Sequence, residues 1–384
     1  MVEVLIVGAG PAGTTAALVL ARAGVRVLVV DRARFPRDKL CGDTVNPGTL
    51  AWLRALRLDD RIERESLALD GMMVTSRSGQ AVVSDYGRGI RGRALPRRLL
   101  DLVLLEAAAH AGARVEQGAR ATEAILEHGT TVRGASVLAR GRRTRIPARV
   151  TIAADGRRST LAFSLGLARQ PAAPRRWAIG MYMTDVAGLS ARGEMHLRPG
   201  HYVGIAPLPG GLANVCLVVT PRPGFGDPGA LLRATLSADP ILSERFVAAR
   251  AASPVSCLGP LAVDASCAGM PGLLLAGDAA GFIDPMTGDG LRFAVQGGVL
   301  AAQAALEVLE HGRTDAHVRL ARRRAEAFAA KQRFNRTLRA LIGTRAGLGL
   351  GQLAARLTPS LVRSFIRRAG DIELALHGAE KDTA

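Results

Sequence analysis

The chain has 384 residues and is 48% hydrophobic, so it can bury a large core, which we expect to form two interleaved domains. Its formal net charge is +18, but aromatic residues make up only 4% and do not alternate with basic ones, so we predict no nucleic-acid partner. The four cysteines lie far apart and the seven histidines do not cluster. This pattern argues against a disulfide scaffold, predicts no metal site and favours a reducing cytoplasm.

The first 31 residues predict a strand, a tight turn, a helix and a second strand. The apolar, β-branched run Val4–Val7 is typical of a buried parallel strand. The turn has the G-x-G-x-x-G spacing, with a proline in the first helical turn: Gly8, Gly10, Pro11 and Gly13. The second strand ends at Asp31, where dinucleotide-binding folds hold a ribose hydroxyl. A signal peptide or a membrane span fits less well, because the Gly/Pro turn interrupts the apolar stretch and no basic residue precedes it.

The middle of the chain alternates between loops, helices and strands. The segment after Asp31 begins as a loop and predicts an amphipathic helix from about Thr49. The next predicted elements are strands of an outlying sheet at 72–93, a helix and a strand at 95–121, a strand and a helix at 149–167, and an antiparallel sheet at 177–220.

The carboxyl-terminal part predicts one more nucleotide-fold strand and then helices. Residues 273–310 read as a strand, Asp278, a glycine-rich loop and a long helix, and residues 311–384 as arginine-dense helices. Those last helices have two interpretations: packed helices with a solvated basic face, or a surface that docks on an anionic membrane or an acidic carrier protein. We therefore expect a cytoplasmic protein, with peripheral attachment to a membrane as the open alternative.

Four separated motifs, in this order, together resemble one known family. They are the G-x-G-x-x-G turn with Asp31, FPRDKLCGD at 35–43, RRLLD at 97–101 with ADGRRSTLA at 154–162, and GDAAGFIDPMTGDGL at 277–291. The combination resembles the FAD-dependent geranylgeranyl reductase-like branch of the para-hydroxybenzoate hydroxylase-like (class A) flavoprotein monooxygenase superfamily. The resemblance covers residues 1 to about 310, and the tail adds little to it.

The resemblance implies an α/β fold, α+β overall. A Rossmann-type FAD-binding domain would be interleaved with an antiparallel-sheet substrate domain and followed by a helical tail. We expect the FAD-binding domain to comprise residues 1–71, 94–167 and 256–310. The substrate domain would comprise 72–93 and 168–255, and the basic helical region 311–384.

The resemblance also implies FAD as cofactor and NADH or NADPH as electron donor. The cofactor-binding residues it implies are Gly8, Gly10, Pro11, Ala12, Gly13, Asp31, Arg32, Lys39, Cys41, Gly42, Arg97, Ala121, Asp155, Gly156, Gly277, Asp278, Pro285, Gly288, Gly290 and Leu291. Because the flavin itself carries the chemistry in this superfamily, the only candidates for a direct catalytic role are Lys39 and Cys41.

Some of these residues have more specific expected roles. Arg97 is a plausible donor to phosphate or ribityl oxygens, and Ala121 would meet the adenine side through its backbone. Asp278 would bind the ribityl chain or the pyrophosphate. The helix that starts after Gly288 would point its amino end at the flavin N1–C2=O edge and stabilise the reduced flavin.

Two reactions on a hydrophobic small molecule remain open for such a flavoprotein. Our first expectation is a tailoring-type monooxygenase that hydroxylates or epoxidises through a flavin C4a-hydroperoxide. The alternative is an ene-reductase of an isoprenoid or other C=C bond, and a non-catalytic flavin sensor is the remote third. Ala162 and Gly281 replace the arginine and histidine usual in aromatic hydroxylases, which favours the reductase, whereas YVGIAP at 202–207 lacks the tryptophan typical of isoprenoid reductases.

Overall fold

The computed structural model describes residues 2–87, 89–173, 175–220, 226–284, 286, 288–342, 347, 357–372 and 374–375. It is a mixed α/β structure, as the sequence predicts. Two large sheets dominate it. The predicted domain boundaries stay a prediction.

The first large sheet is the nucleotide-type sheet. Its strands are β1 (Val2–Val7), β2 (Val27–Asp31), β8 (Arg114–Gln117), β9 (Ala119–Glu127), β10 (Thr131–Ala139), β11 (Arg142–Ala153), β20 (Gly269–Met270) and β21 (Leu273–Leu275). Strands β21, β11, β1, β2 and β8 lie side by side and parallel. Strands β9 and β10 form an antiparallel extension of β11. The carboxyl ends of β1 and β2 therefore meet at one edge, where open parallel sheets bind ligands.

Strand β1 is buried on both faces. Val4 and Ile6 pack into one apolar cluster, and Leu5 and Val7 into another on the opposite side. This explains why its sequence is continuously apolar rather than alternating.

The second large sheet forms a separate layer. It contains β5 (Gly71–Thr75), β6 (Ala81–Asp85), β13 (Trp177–Thr184), β14 (Arg192–Arg198), β15 (His201–Pro207), β16 (Ala213–Val219), β17 (Arg250–Ala251) and β18 (Ser256–Leu258). The strands from β13 to β16 are antiparallel neighbours, as predicted, but β14 and β5 pair in parallel. That pairing joins β5 and β6 to the strands at 177–220 in one sheet, whereas β7 lies in a separate small sheet.

Short strands and helices complete the structure. The small sheets contain β3 (Thr44–Val45), β4 (Leu67–Leu69), β7 (Gly92–Ala94), β12 (Ala168–Arg169) and β19 (Asp264–Ala265). The helices are α1 (Pro11–Arg22), α2 (Pro47–Ala55), α3 (Asp59–Arg64), α4 (Arg97–His110), α5 (Thr160–Ser164), α6 (Pro228–Ala238), α7 (Leu242–Arg245), α8 (Gly290–His311), α9 (Ala316–Ile342) and α10 (Pro359–Ala369). Among the residues described, no helix is long and apolar enough to span a bilayer.

The predicted start of the second helix, about Thr49, is wrong by two residues. Helix α2 begins at Pro47 because the side chain of Asn46 caps it, accepting a hydrogen bond from the Thr49 backbone N–H at 2.8 Å. Asparagine before proline is a helix-start signal in its own right.

Candidate functional site

A large cavity lies between the two sheets. Its volume is about 1170 Å³, and we call it the central cavity. The edge of the first sheet contributes Gly10 and Asp31, the second sheet contributes Tyr202 and Val218, and α10 contributes Phe365. Residues far apart in the sequence therefore line one continuous space.

Most of the residues implied by the family resemblance line the central cavity. They are Gly8, Gly10, Pro11, Ala12, Asp31, Arg32, Lys39, Cys41, Gly42, Arg97, Asp155, Gly156, Gly277, Asp278, Gly288, Gly290 and Leu291. Two others do not line it: Gly13 is buried in the first turn of α1, and Ala121 is buried in β9 opposite Val137 of β10. Pro285 lies outside the described residues.

The glycine turn after β1 is shaped by backbone contacts. Gly8 has a φ of +102°, and a Cβ there would lie 2.5 Å from the carbonyl oxygen of Ala154. A Cβ on Gly13 would lie 1.9 Å from the Gly8 carbonyl oxygen, so the third glycine is needed for packing of helix on strand. No side chain caps the start of α1 at Gly10. The helix therefore presents its amino end, with its partial positive charge, to the central cavity.

Asp31 closes the turn from the second strand. Its Oδ2 accepts the backbone N–H of Ala9 at 2.7 Å, and its Oδ1 accepts that of Ala33 at 2.7 Å. A carboxylate has further acceptor capacity on each oxygen, so Asp31 can still accept hydroxyl donors from a ligand.

Asp155 lies at the end of β11, beside the same turn. Its Oδ2 accepts the backbone N–H of Thr160 at 2.8 Å, so the residue helps to cap α5. Its Oδ1 is buried and lacks a hydrogen-bond partner. Burial raises the pKa of Asp155. A buried acceptor without a partner, next to the glycine turn, fits a site that receives donor groups from a ligand.

Arg97 lines the cavity but is engaged by another residue. Its Nε donates to Oδ1 of Asp101 at 2.9 Å and its Nη2 to Oδ2 at 3.0 Å. Arg37 pairs with the same carboxylate at 2.9 Å. Although burial opposes it, the Asp101 carboxylate raises the pKa of the Arg97 guanidinium. Asp101 therefore fixes both arginines and holds the loop at 35–43 against α4.

Lys39 and Cys41 both line the central cavity. Burial lowers the pKa of the Lys39 ammonium, Arg97 lowers it further, and the carboxylate of Asp278 acts in the opposite direction. On the second sheet, burial raises the pKa of the Cys216 thiol to about 12, with the neighbouring Cys41 as a second cause. The wall of the same cavity thus carries Lys39, which is more easily deprotonated than usual, and Cys216, whose thiol stays protonated.

Asp43 is a candidate functional residue that the sequence motifs did not single out, although it ends the motif at 35–43. It has a φ of +53° and is 1% exposed. Its Oδ2 accepts from the Asn214 side chain at 2.6 Å, and its Oδ1 accepts the Arg97 backbone N–H at 3.1 Å. The same Asn214 amide donates to the Cys41 carbonyl at 2.8 Å. Burial raises the pKa of Asp43 to about 6, although these hydrogen bonds lower it. Asp43 therefore ties the loop at 35–43, which we call the cofactor-side loop because of its family resemblance, to the second sheet, a contact that no local sequence pattern reveals.

A second glycine-rich loop enters the cavity before α8. Gly288 has a φ of +69°, and Gly290 is the first residue of α8, as predicted for a helix that starts at this loop. The loop is attached to the second sheet through Asp284, whose carboxylate accepts the Tyr202 hydroxyl at 2.9 Å and an Arg176 N–H at 3.1 Å.

The carboxyl-terminal helices also help to build the site. Lys331 of α9 lies 3.2 Å from a carboxylate oxygen of Asp289, just before α8, and donates at 3.0 Å to Asp371, just after α10. Arg292 of α8 pairs with Asp371 at 2.7 Å. Helices α9 and α10 therefore hold the loop that opens into the cavity.

The residues at the first-sheet end of the cavity fit a dinucleotide. A Cβ at Gly10 would have only an Arg37 side-chain atom within 4 Å, at 3.6 Å, so bare backbone faces open space. An uncapped helix start suits a pyrophosphate, and Asp31 and the unpartnered oxygen of Asp155 suit hydroxyl or amino donors.

A family model described as "FAD binding domain" matches residues 1–228 of the chain. The chain belongs to this family of flavoproteins. Among its relatives, the menaquinone reductase of Mycobacterium tuberculosis is 32% identical over an alignment 340 residues long, and the match covers 78% of this chain and 76% of that protein. The digeranylgeranylglycerophospholipid reductase of Methanosarcina mazei is 30% identical over an alignment 325 residues long, and the match covers 81% of this chain and 76% of that protein.

Solved structures share the fold of this flavoprotein. A geranylgeranyl bacteriochlorophyll reductase-like protein of Thermoplasma acidophilum has a TM-score of 0.79 at 22% identity and covers 98% of this chain and 95% of that one. A variant of a flavin-dependent brominase has a TM-score of 0.83 at 18% identity, with full coverage of both chains. The predicted family is confirmed, and the flavoprotein is an FAD-dependent oxidoreductase.

Proposed function

We propose that this flavoprotein reduces a C=C bond in the isoprenoid chain of a lipid or a similarly hydrophobic small molecule. The observation that carries the proposal is the apolar wall of the central cavity beyond the cofactor-side loops. The side chains on that wall include Ala178, Met195, Leu197, Val218, Leu261, Phe282 and Met286. Such a wall suits a long hydrocarbon chain, because apolar surface is favourably transferred out of water there.

The relatives favour the reductase over the monooxygenase that we first expected. The two reductases compared above have names that refer to lipids with isoprenoid chains, and this chain spans about three quarters of each. Gly281, at the position where aromatic hydroxylases usually carry histidine, agrees with that choice. The halogenase likeness lies under 25% identity and supports the fold alone.

We assign the binding of FAD to the residues that line the first-sheet end of the cavity. The amino end of α1 would hold the pyrophosphate, Asp31 the adenosine ribose, and the start of α8 the flavin. When bound and reduced by NADH, NADPH or a partner reductase, FAD would supply the hydride for one carbon of the double bond.

The other carbon needs a proton, and the residues of this chain supply or position it. Lys39 and Cys41 line the cavity beside the cofactor-side loop, and each carries an exchangeable proton at Nζ or Sγ. We assign Lys39 as a contact to the cofactor and Cys41 as the proton donor candidate. Addition of one hydride and one proton saturates the bond, and the cofactor is oxidised by two electrons.

Turnover of the reduced holoenzyme with and without oxygen tests the proposal. We expect anaerobic reoxidation of the flavin by an isoprenoid lipid such as geranylgeraniol, with a product two mass units heavier for each bond reduced. An oxygen-dependent product that carries one added oxygen atom would instead establish the monooxygenase. Cys41→Ala should slow this step in enzyme saturated with FAD, with Cys267→Ala as a control on a cysteine that does not line the cavity.

A further inference from the structure

We propose that α10 docks this flavoprotein onto an anionic lipid bilayer, so that the mouth of the central cavity opens towards the membrane. The proposal rests on the proposed function, because a substrate dissolved in a bilayer must reach the cavity from the bilayer. It commits to phospholipid with negatively charged headgroups as the occupant of the exposed face of α10.

Large apolar side chains are exposed on α10 and just before it, and they recur every four residues. Leu357, Leu361 and Phe365 follow one another at intervals of four residues and are 74%, 49% and 41% exposed. Leu361 and Phe365, four residues apart, lie on one face of α10, and Leu357 lies just before the helix begins. A row of exposed, large apolar side chains is typical of a surface that binds a membrane or another protein.

The charge on this segment is of one sign. Arg363, Arg367 and Arg368 are exposed, and no acidic residue occurs from 357 to 370. Asp371, the next acidic residue, is half-buried and paired with Lys331 and Arg292. Arginines beside an exposed apolar stripe are complementary to an anionic membrane interface, where the stripe enters the headgroup region and the guanidinium groups meet phosphates.

The exposed stripe is continuous with the cavity. Leu361 and Phe365 both line the central cavity while remaining partly exposed, so they lie at its mouth. Phe365 stacks on Phe334 of α9 with ring centroids 5.8 Å apart. An apolar path therefore leads from the surface of α10 to the apolar wall inside.

The helix is held firmly enough to act as a docking surface. Ile366 is buried, Lys331 donates to the carbonyl oxygens of residues 368 and 369 at 2.7 and 3.0 Å, and the Ser84 hydroxyl donates to the Arg363 carbonyl at 3.4 Å. These contacts fix the inner face of α10 and leave the apolar stripe and the arginine side chains outward.

Sedimentation with vesicles tests the proposal on the full-length holoenzyme. We expect binding to phosphatidylcholine vesicles that contain phosphatidylglycerol, weaker binding without it, and a decrease on adding salt. Each arginine near such a surface contributes about a fivefold change in affinity, so Arg363→Gln with Arg367→Gln should weaken binding about 25-fold. Leu357→Asp with Leu361→Asp should abolish it.

Matched controls separate docking from general surface effects. Arg142→Gln with Arg145→Gln changes two exposed arginines of β11, and Val247→Asp places a charge on an 84% exposed valine near α7. The controls should bind vesicles as the unchanged protein does, and every variant should keep its FAD. Equal losses in the controls, or no binding of anionic vesicles by the unchanged protein, would overturn the proposal.

Turnover of an isoprenoid and binding of a carrier protein, measured beside vesicle binding, distinguish failure of this proposal from failure of the proposed function. Vesicle binding needs no turnover, so a protein that binds vesicles but reduces no isoprenoid contradicts the proposed reaction and supports the docking surface. Salt-sensitive binding of an acidic acyl carrier protein, without vesicle binding, would overturn docking on a membrane and identify a carrier as the partner.

Discussion

Asp43 allows a quantitative prediction about pH and stability. Its pKa rises from 3.8 to about 6 in the folded protein, mainly because the carboxyl is buried. At about 1.4 kcal/mol for each pKa unit, that rise corresponds to about 3 kcal/mol. Between pH 4 and pH 6 the folded state holds a proton that the unfolded state has lost, so the Asp43 contribution to stability falls as pH rises through this window. Ionised Asp43 is therefore less favourable to folding at pH 7 than protonated Asp43 at pH 4.

Asp43→Asn removes this titration. Asparagine tolerates the φ of +53°, but its amide nitrogen would face the Asn214 donor that now lies 2.6 Å from the carboxylate. That conflict costs about 1–3 kcal/mol at every pH. The unchanged protein should therefore have its largest advantage in free energy of unfolding over Asp43→Asn at pH 4. That advantage should fall by about 3 kcal/mol between pH 4 and pH 7.

Urea unfolding with excess FAD at a series of pH values measures this difference. Tryptophan fluorescence can follow it, since Trp52 and Trp177 lie in the two different parts of the fold. Asp264→Asn, which changes an exposed aspartate in β19, is the control and should give a nearly constant difference. Parallel pH profiles for the unchanged protein and Asp43→Asn would refute the reasoning.

Two further predictions concern the ends of the site. Asp31→Ala should weaken the binding of FAD by about 1.5–3 kcal/mol in fluorescence titrations, because it removes an acceptor for the adenosine ribose. The binding of FMN, which lacks the adenosine, should be almost unaffected. Equal losses of binding for both flavins would contradict the assignment of Asp31 to the ribose. Lys331→Met removes one partner each of Asp289 and Asp371, which keep Asn335 and Arg292, and it should lower the free energy of unfolding by about 1.5–3 kcal/mol, with faster proteolysis near α10. Arg322→Met, on an 83% exposed side chain of the same helix, should have little effect on either measurement, and a similar loss there would remove the network explanation.

The sequence by itself determined the features that depend on short spacings. The G-x-G-x-x-G turn, the apolar run Val4–Val7 and the strand ending at Asp31 each follow from residues within one βαβ unit, where local sterics and periodicity decide the structure. The start of α8 at Gly290 is likewise a local property of a glycine-rich loop before a helical pattern.

Only the tertiary structure decided which distant side chains meet. Asp43 and Asn214 are 171 positions apart, and Lys331 meets Asp371 across 40 positions, so no local period could pair them. The raised pKa of Asp43 also depends on burial between the two sheets, and burial is a property of packing. The role of α10 at the cavity mouth has the same origin: its arginines and leucines are visible in the sequence, but their position at the apolar cavity follows from the fold.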